Sequence, residues 1–198
     1  MFKSEKPKLV IGTDEAGRGP LAGPVCAAAV ALPDNFPSNI LNDSKKMTEY
    51  QRNEARKIIV NKALAWAIAW SDPDEIDRLN ILNASLLAMK RCCDEVESLL
   101  LSKGLHPDIV LADGNRRPPV SIPCTAVVKG DSTFDQIMAA SILAKTSRDA
   151  YMLEMARIWP VYGFDRHKGY PTAFHLEKVA EHGPCPIHRK TFRGVLVR

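Results

Sequence analysis

Four acidic residues stand where a carboxylate needs a reason to be. Asp14 and Glu15 close the apolar run Leu9-Val-Ile-Gly-Thr, directly before the glycine-rich stretch Gly17-Arg-Gly-Pro-Leu-Ala-Gly23. Asp113 closes Ile109-Val-Leu-Ala and precedes Gly114-Asn115, while Asp131 follows Val127-Val-Lys-Gly. An ionised carboxylate at the end of an otherwise buried strand is costly without a cation. Several meeting at one sheet edge, where α/β proteins place their sites, repel one another unless a hard divalent ion holds them. With no His or Cys beside them, the ion expected is Mg²⁺ or Mn²⁺ rather than zinc. Each acid alone suits a turn, since Asp before Gly is ordinary turn chemistry; the four together point to a metal site. Adjacent strand residues face opposite sides of a sheet. Asp14 and Glu15 therefore share one site only if the strand breaks there, and Gly17 offers the break. Asp43, ahead of Ser-Lys-Lys, reads as an Asx turn.

The groups that would hold a polyanion are more ambiguous. Gly17-Arg18-Gly19 matches neither common phosphate-loop pattern. It is either a hairpin connection or a place where missing side chains let the backbone approach a ligand, with Arg18 adding charge. Ser141, Lys145 and Arg148 fall at i, i+4 and i+7 on an otherwise Ala/Ile/Leu/Met helix, as a solvated stripe or a phosphate clamp. Lys45-Lys46 is open in the same way. Tyr170, in the polar loop His167-Lys-Gly-Tyr, packs or stacks on a sugar or base.

Five apolar runs read as strands, over residues 9–14, 24–32, 64–70, 108–112 and 125–128, the first two forming a hairpin across the glycine-rich turn. Thr48-x-x-Gln51 is a capping box opening a helix to about residue 62. Leu82, Leu86, Met89, Cys93, Val96 and Leu100 step by four and three along a helix of roughly twenty residues that Gly104 ends. A further helix is expected over 134–159, halted by Pro160, and a short one over 172–181, stopped by Gly183. Strands first, then strands alternating with helices, give an α/β fold: a mixed five-stranded sheet flanked by helices, with a small helical C-terminal appendage. The expected division is a catalytic unit over 1–160 and the appendage over 161–198, packed as one compact body.

Composition narrows the function classes. The chain has 198 residues, 45% hydrophobic and 25% charged, enough for a self-sufficient core. No apolar run approaches the ~18 residues of a membrane helix, and the polar start Met1-Phe-Lys-Ser-Glu-Lys-Pro-Lys lacks the apolar stretch of a signal peptide. Five cysteines without CxxC spacing fit a reducing cytoplasm better than a disulfide framework. The net charge of +4 permits a polyanionic partner without demanding one. The surplus lies in residues 148–198, where nine basic residues face five acids and four of the five histidines also fall.

Gly12-Thr-Asp-Glu-Ala-Gly-Arg-Gly-Pro-Leu-Ala-Gly-Pro24, Asn42-Asp-Ser-Lys-Lys46, Ala112-Asp-Gly-Asn115, Lys129-Gly-Asp131, Ala140-Ser-Ile-Leu-Ala-Lys145 and His167-Lys-Gly-Tyr-Pro-Thr172 resemble, in the same order, the bacterial ribonuclease HII family, type 2 ribonucleases H. The resemblance implies a ribonuclease H-like fold and a metal-dependent endonuclease. Such an enzyme cuts the RNA strand of RNA–DNA hybrids and incises 5′ of single ribonucleotides in duplex DNA. It leaves a 3′-hydroxyl and a 5′-phosphate and serves ribonucleotide removal and RNA primer clearance. By position, Asp14, Glu15, Asp113 and Asp131 match the metal-binding catalytic acids, for two Mg²⁺ or Mn²⁺ ions with substrate bound. Gly17, Arg18 and Gly19 match the segment that reads the ribose 2′-OH, and Tyr170 the tyrosine packing on the sugar at the RNA-to-DNA junction. Lys45, Lys46, Ser141 and Lys145 match backbone-holding positions. A monomeric, cytoplasmic protein without a membrane partner is expected.

Two departures stand out. Thr191-Phe-Arg-Gly-Val195 replaces the more usual Ser-Phe-x-Pro-Val, and no sliding-clamp motif of the Gln-x-x-[Ile/Leu]-x-x-Phe-Phe kind is recognised. Asp131 as the last acid sets the chain apart from ribonuclease HIII. Two other classes remain open: a junction-resolving nuclease of the same superfamily, and a hybrid-binding module whose acids are structural.

Overall fold

The computed structural model describes residues 9–196; the polar opening segment and the last two residues, including Arg198 of the basic surplus, lie outside them. The sheet has the order β3-β2-β1-β4-β5. Strands β1 (Val10–Ala16), β2 (Val25–Ala31) and β3 (Ala65–Ser71) form an antiparallel meander. Strands β4 (Ile109–Asp113) and β5 (Cys124–Val127) add to the other side of β1 in parallel. The sheet is therefore mixed, as the alternation of runs predicts.

Helices cover both faces. The intervening helices are α1 (Glu49–Lys62), α2 (Pro73–Leu79), α3 (Ile81–Leu101) and α4 (Asp135–Ile158). Helix α3 buries Met89, Cys93, Val96 and Leu100 of the expected stripe, widened by Ala84, Ala88 and Cys92, against one face of the sheet. Each large apolar side chain so removed from water contributes roughly 1.5–3 kcal/mol. Helix α4 lies on the other face with α1 beside it, its core built from Ala139, Ala140, Ile142, Leu143 and Ala144. Between them β2, Val-Cys-Ala-Ala-Ala-Val-Ala, is buried along its whole length. A strand covered on both faces reads as a continuous apolar run rather than an alternating one. Its odd-numbered residues pack toward α3 and its even-numbered ones toward α4.

The capping box at α1 forms both of its bonds, Gln51 N–H to Thr48 Oγ1 at 3.2 Å and Thr48 N–H to Gln51 Oε1 at 2.8 Å. Helix α2 is an element the spacing analysis passes over. Its signal is the box Asp72-Pro-Asp-Glu75, with Asp72 capping the Glu75 amide at 2.7 Å and Pro73 in the first turn. Beyond α4, the four-residue α5 (Phe164–His167) and α6 (Ala173–His182) pack on its C-terminal half. Met152, Tyr162, Phe164, Val179 and Cys185 form this third cluster, around Ala22 of the glycine-rich segment. No helix among the described residues is long and apolar enough to cross a membrane.

Candidate active site

The topology brings three of the acids together. β1 and β4 are parallel neighbours in register from Val10 opposite Ile109 to Thr13 opposite Ala112, so Asp14 and Asp113 end up side by side one residue further on. Asp131 arrives from the next strand through a 3₁₀ turn, Gly130–Ser132, entered by Lys129 in the left-handed region at φ 59°. Its amide donates to Asp113 Oδ1 at 3.3 Å. Carboxylate oxygens of Asp14, Asp113 and Asp131 all lie within 4.8 Å of one another.

Glu15 is placed differently. The expected break in β1 is absent, because the strand stays in register through Ala16 opposite Cys26. Strand alternation then points Glu15 away from the face that carries Asp14, and its carboxylate pairs with Arg18 at 3.3 Å. It still borders the cavity with Asp14, and the two charges feel each other.

Burial first, then repulsion from Glu15 and Asp113, holds the Asp14 carboxyl well above the usual carboxylate range. Burial likewise raises Glu15, against the pull of Arg18, and raises Asp113, with Asp131 adding to the effect. A crowded, oxygen-only donor set whose ionised form is disfavoured suits a hard divalent cation, which relieves both the desolvation and the repulsion. The residues present therefore fit Mg²⁺ or Mn²⁺. Asp14 accepts from the Glu15 amide at 2.7 Å, and the Ser141 hydroxyl near it favours the ionised form. Ser141, buried on α4, is in turn 2.9 Å from Ser44 Oγ.

The remaining expected residues divide. Gly17, Arg18, Gly19, Lys45, Ser141, Lys145 and Tyr170 line one cavity of about 280 Å³ together with Asp14 and Glu15. Lys45 Nζ sits 3.1 Å from Asp131 Oδ2. Burial lowers the affinity of Lys45 for its proton, but the hydrogen bond and charge of Asp131 outweigh it and leave the group above its ordinary value. Lys145 is tied to Asp149 at 2.8 Å. Lys46 falls outside this cavity; it pairs with Asp43 at 3.9 Å and borders a separate groove with Tyr50 and Ile58. Asp43 forms the Asx turn, accepting the Lys45 amide at 3.0 Å.

Arg148 does not face solvent as a phosphate clamp. It is 2% exposed, and its donors reach the carbonyls of Pro24, Ala22 and Lys168. Arg148 shares its buried side of α4 with Ala144 and Met152, so a polar i, i+7 spacing does not by itself mark a wet face. Gly17, at φ 97°, has no room for a side chain: a Cβ would lie 1.9 Å from Arg148 Nε. One residue that spacing does not single out is Arg189, fully buried beneath the same turn. Only its seat among basic and histidine residues marks it in the sequence, and that reads as a basic tail.

A profile of the family described as Ribonuclease HII matches residues 11–195. The chain belongs to the ribonuclease HII family. It is 54% identical over 187 residues to a ribonuclease HII of Idiomarina loihiensis, covering 94% of this chain and 96% of that one. A ribonuclease HII of Dechloromonas aromatica is 53% identical over 187 residues, covering 94% and 92%. Among solved structures, the ribonuclease H2 of Pyrococcus horikoshii superposes with a TM-score of 0.75 at 21% identity, over 94% of this chain and 95% of that one, a likeness of fold. Membership of the ribonuclease HII family makes the chain a metal-dependent nuclease, with Asp14, Asp113 and Asp131 as a set able to hold the ion.

The C-terminal histidines are structural in this setting. The Cys185 amide donates to His188 Nδ1 at 2.9 Å, so the His188 proton sits on Nε2 and is donated to His175 Nε2 at 3.1 Å. His175 Nδ1 then donates to the Tyr170 carbonyl at 2.9 Å. This relay of neutral rings ends on the backbone of Tyr170. Burial, then His175, pushes His188 down to about 4. An imidazole whose folded value lies below its unfolded value near 6.5 contributes stability that is complete above pH 6.5 and lost as pH falls toward 4. His188 alone is expected to account for about 3 kcal/mol across that window. The pocket acids titrate with the opposite sign, so the measurement is the difference in unfolding free energy between wild type and His188→Gln from pH 8 to 4. A difference independent of pH would contradict the relay.

Proposed function

We propose that this ribonuclease HII hydrolyses the RNA strand of RNA–DNA hybrids and incises 5′ of single ribonucleotides in duplex DNA by a two-metal-ion mechanism, leaving a 3′-hydroxyl and a 5′-phosphate. The observation that carries the reading is the convergence of Asp14, Asp113 and Asp131 within 4.8 Å, with Asp14 lining a cavity shared with the glycine-rich turn and Tyr170. Asp14, Asp113 and Asp131 would hold the ions, and Glu15, which lines the same cavity as Asp14 while paired with Arg18, is the fourth acid of the set. When bound, divalent ions supply an activated water and neutralise charge on the phosphodiester and the departing oxygen. The protein's own groups do the rest. The Glu15 amide orients Asp14, and the Ser141 hydroxyl beside it favours the ionised carboxylate. Lys45 brings positive charge next to Asp131, where the scissile phosphate would lie. Lys46, Lys145 and Ser141 flank the strand path, and residues 161–198 add basic surface to it.

Selectivity rests with the turn and with Tyr170, a residue 45% exposed and so open to meet a sugar. A site that pairs with a 2′-hydroxyl leaves its own groups unpaired when that hydroxyl is missing, and discrimination of this kind can reach ~10⁴. A Cβ on Gly19 would stand 3.4 Å from Tyr170 Cε1. Gly19→Ala is therefore expected to crowd the ring and lower cleavage at a single ribonucleotide several-fold without unfolding the protein; an unchanged rate would discount the turn. The reading includes a monomer acting in the cytoplasm in ribonucleotide removal and RNA primer clearance. Its test is incubation of a duplex carrying one ribonucleotide with and without Mg²⁺ or Mn²⁺, with the cut mapped to the nucleotide. Equal cutting of branched all-DNA substrates would favour a resolvase instead. Salt-sensitive binding without any cleavage would leave only a hybrid-binding module.

A further inference from the structure

The glycine-rich turn is held from beneath by two arginines. Arg189 donates from Nε to Gly23 O at 2.9 Å, from Nη1 to Arg18 O at 2.9 Å and from Nη2 to Gly17 O at 2.6 Å. Arg148 donates to Pro24 O at 3.0 Å and to Ala22 O and Lys168 O at 3.1 Å each. Both guanidiniums are buried, and among the described residues neither has a carboxylate within 4.0 Å. A buried charge without a counter-ion is expensive. These two are compensated by six main-chain carbonyls, five of them in residues 17–24. The sixth, Lys168 O, belongs to the loop that carries Tyr170. That loop is also pinned to the turn by the Leu21 amide on Gly169 O at 2.8 Å.

The direction of those carbonyls has a chemical consequence. A trans peptide group is planar, so the N–H of one residue points opposite to the C=O of the residue before it. With Gly17 O and Arg18 O turned down onto Arg189, the amides of Arg18 and Gly19 are turned the other way. No acceptor among the described residues takes either of them. Both residues line the cavity that contains Asp14 and Tyr170. We infer that Arg189 is a positioning residue for substrate selection: it fixes the turn so that amide donors, and not carbonyls, face the pocket, where they meet oxygen atoms of the sugar-phosphate of the strand to be cut. Arg148 secures the far end of the turn and couples it to the tyrosine loop. The inference deepens the proposed function and rests on it.

The test compares wild type with Arg189→Lys, which keeps the charge but cannot reach three carbonyls at once. The substrate is a duplex with one ribonucleotide, in Mn²⁺. Loss of the fixed donors is expected to raise KM about tenfold or more, with a smaller change in kcat, since a lost charge-assisted bond is worth about that factor. A merely structural role would lower the folded fraction, reducing apparent kcat at constant KM; that result, or no change in either, would overturn the inference. Should the variant fail to fold, amide spectra of ¹⁵N-labelled wild type answer the same question. In EDTA, the ribonucleotide duplex is expected to shift the Arg18 and Gly19 amide protons downfield, while Gly104, remote from the cavity, stays in place. Unmoved Arg18 and Gly19 signals in an enzyme that cuts the duplex would overturn the inference alone. Wild type that does not cut it with Mn²⁺ would overturn the proposed function.

Discussion

Asp14→Asn is expected to lose cleavage by about a thousandfold or more and yet to melt at a higher temperature than wild type in buffer free of divalent ions. The first effect follows from removing the charge of the most buried member of the acid cluster. The second follows from the same burial. An acid whose folded-state proton affinity is raised, first by desolvation and then by Glu15 and Asp113, subtracts stability as pH climbs past its unfolded value near 3.8. At neutral pH that penalty is in force, and an amide removes it while keeping an oxygen to accept from the Glu15 amide. Each kcal/mol recovered raises the melting temperature by roughly 2–4 °C in a chain of this size. Saturating Mg²⁺ should stabilise the wild type more than the variant and narrow or reverse the gap. A variant that cleaves at near wild-type rate, or melts lower without metal, would remove Asp14 from the metal-holding set.

The second large effect is expected at Gly12, which neither carries charge nor touches the cavity. A Cβ at this position would fall 2.3 Å from the Gln136 carbonyl carbon and 2.5 Å from the Ile137 nitrogen. Those are main-chain atoms in the first turn of α4, so no side-chain rotation relieves the overlap; the helix has to move off β1. Gly12→Ala should cost about 3 kcal/mol, the upper end for a single overpacked methyl, and lower the melting temperature by roughly 6–12 °C. Because α4 carries Ser141 and Lys145 of the cavity that holds Asp14, cleavage at a temperature where the variant is still folded should fall as well. Calorimetry and a single-turnover assay at 20 °C check both halves. A melting point within 2 °C of wild type would mean that β1 and α4 approach less closely than described.

Much of this arrangement was legible in the sequence because it is local. The strand runs, the α3 stripe and the Thr48 box each declare themselves within a few residues, and acids at three strand ends are conspicuous against apolar neighbours. Glu15 shows the limit of that logic: its position beside Asp14 is visible, but the side to which its carboxylate turns depends on whether β1 continues, which pairing with Cys26 decides. Helix α2 was readable from Asp72 and Glu75, although its seven residues are too few for a periodicity. Arg148 and Arg189 were not readable, since nothing near them in the chain reports that they end under a turn 126 and 172 residues away. Lys45 and Lys46 look alike in the sequence, and only the Asx turn at Asp43 decides that Lys45 is aimed at Asp131 while Lys46 turns to the neighbouring groove.

The alanine-rich strand β2 has a bearing on how this enzyme can be altered. Because Ala27 and Ala29 face one layer of helix and Cys26 and Ala28 the other, the two sides form separate compartments with a single peptide thickness between them. In a saturation library, enlargement at Ala28 should be rescued by trimming side chains of α4, such as Ile142, and never by changes in α3. Enlargement at Ala27 should find its suppressors only in α3. Second-site revertants sorted into two non-overlapping sets would be the genetic signature of that partition.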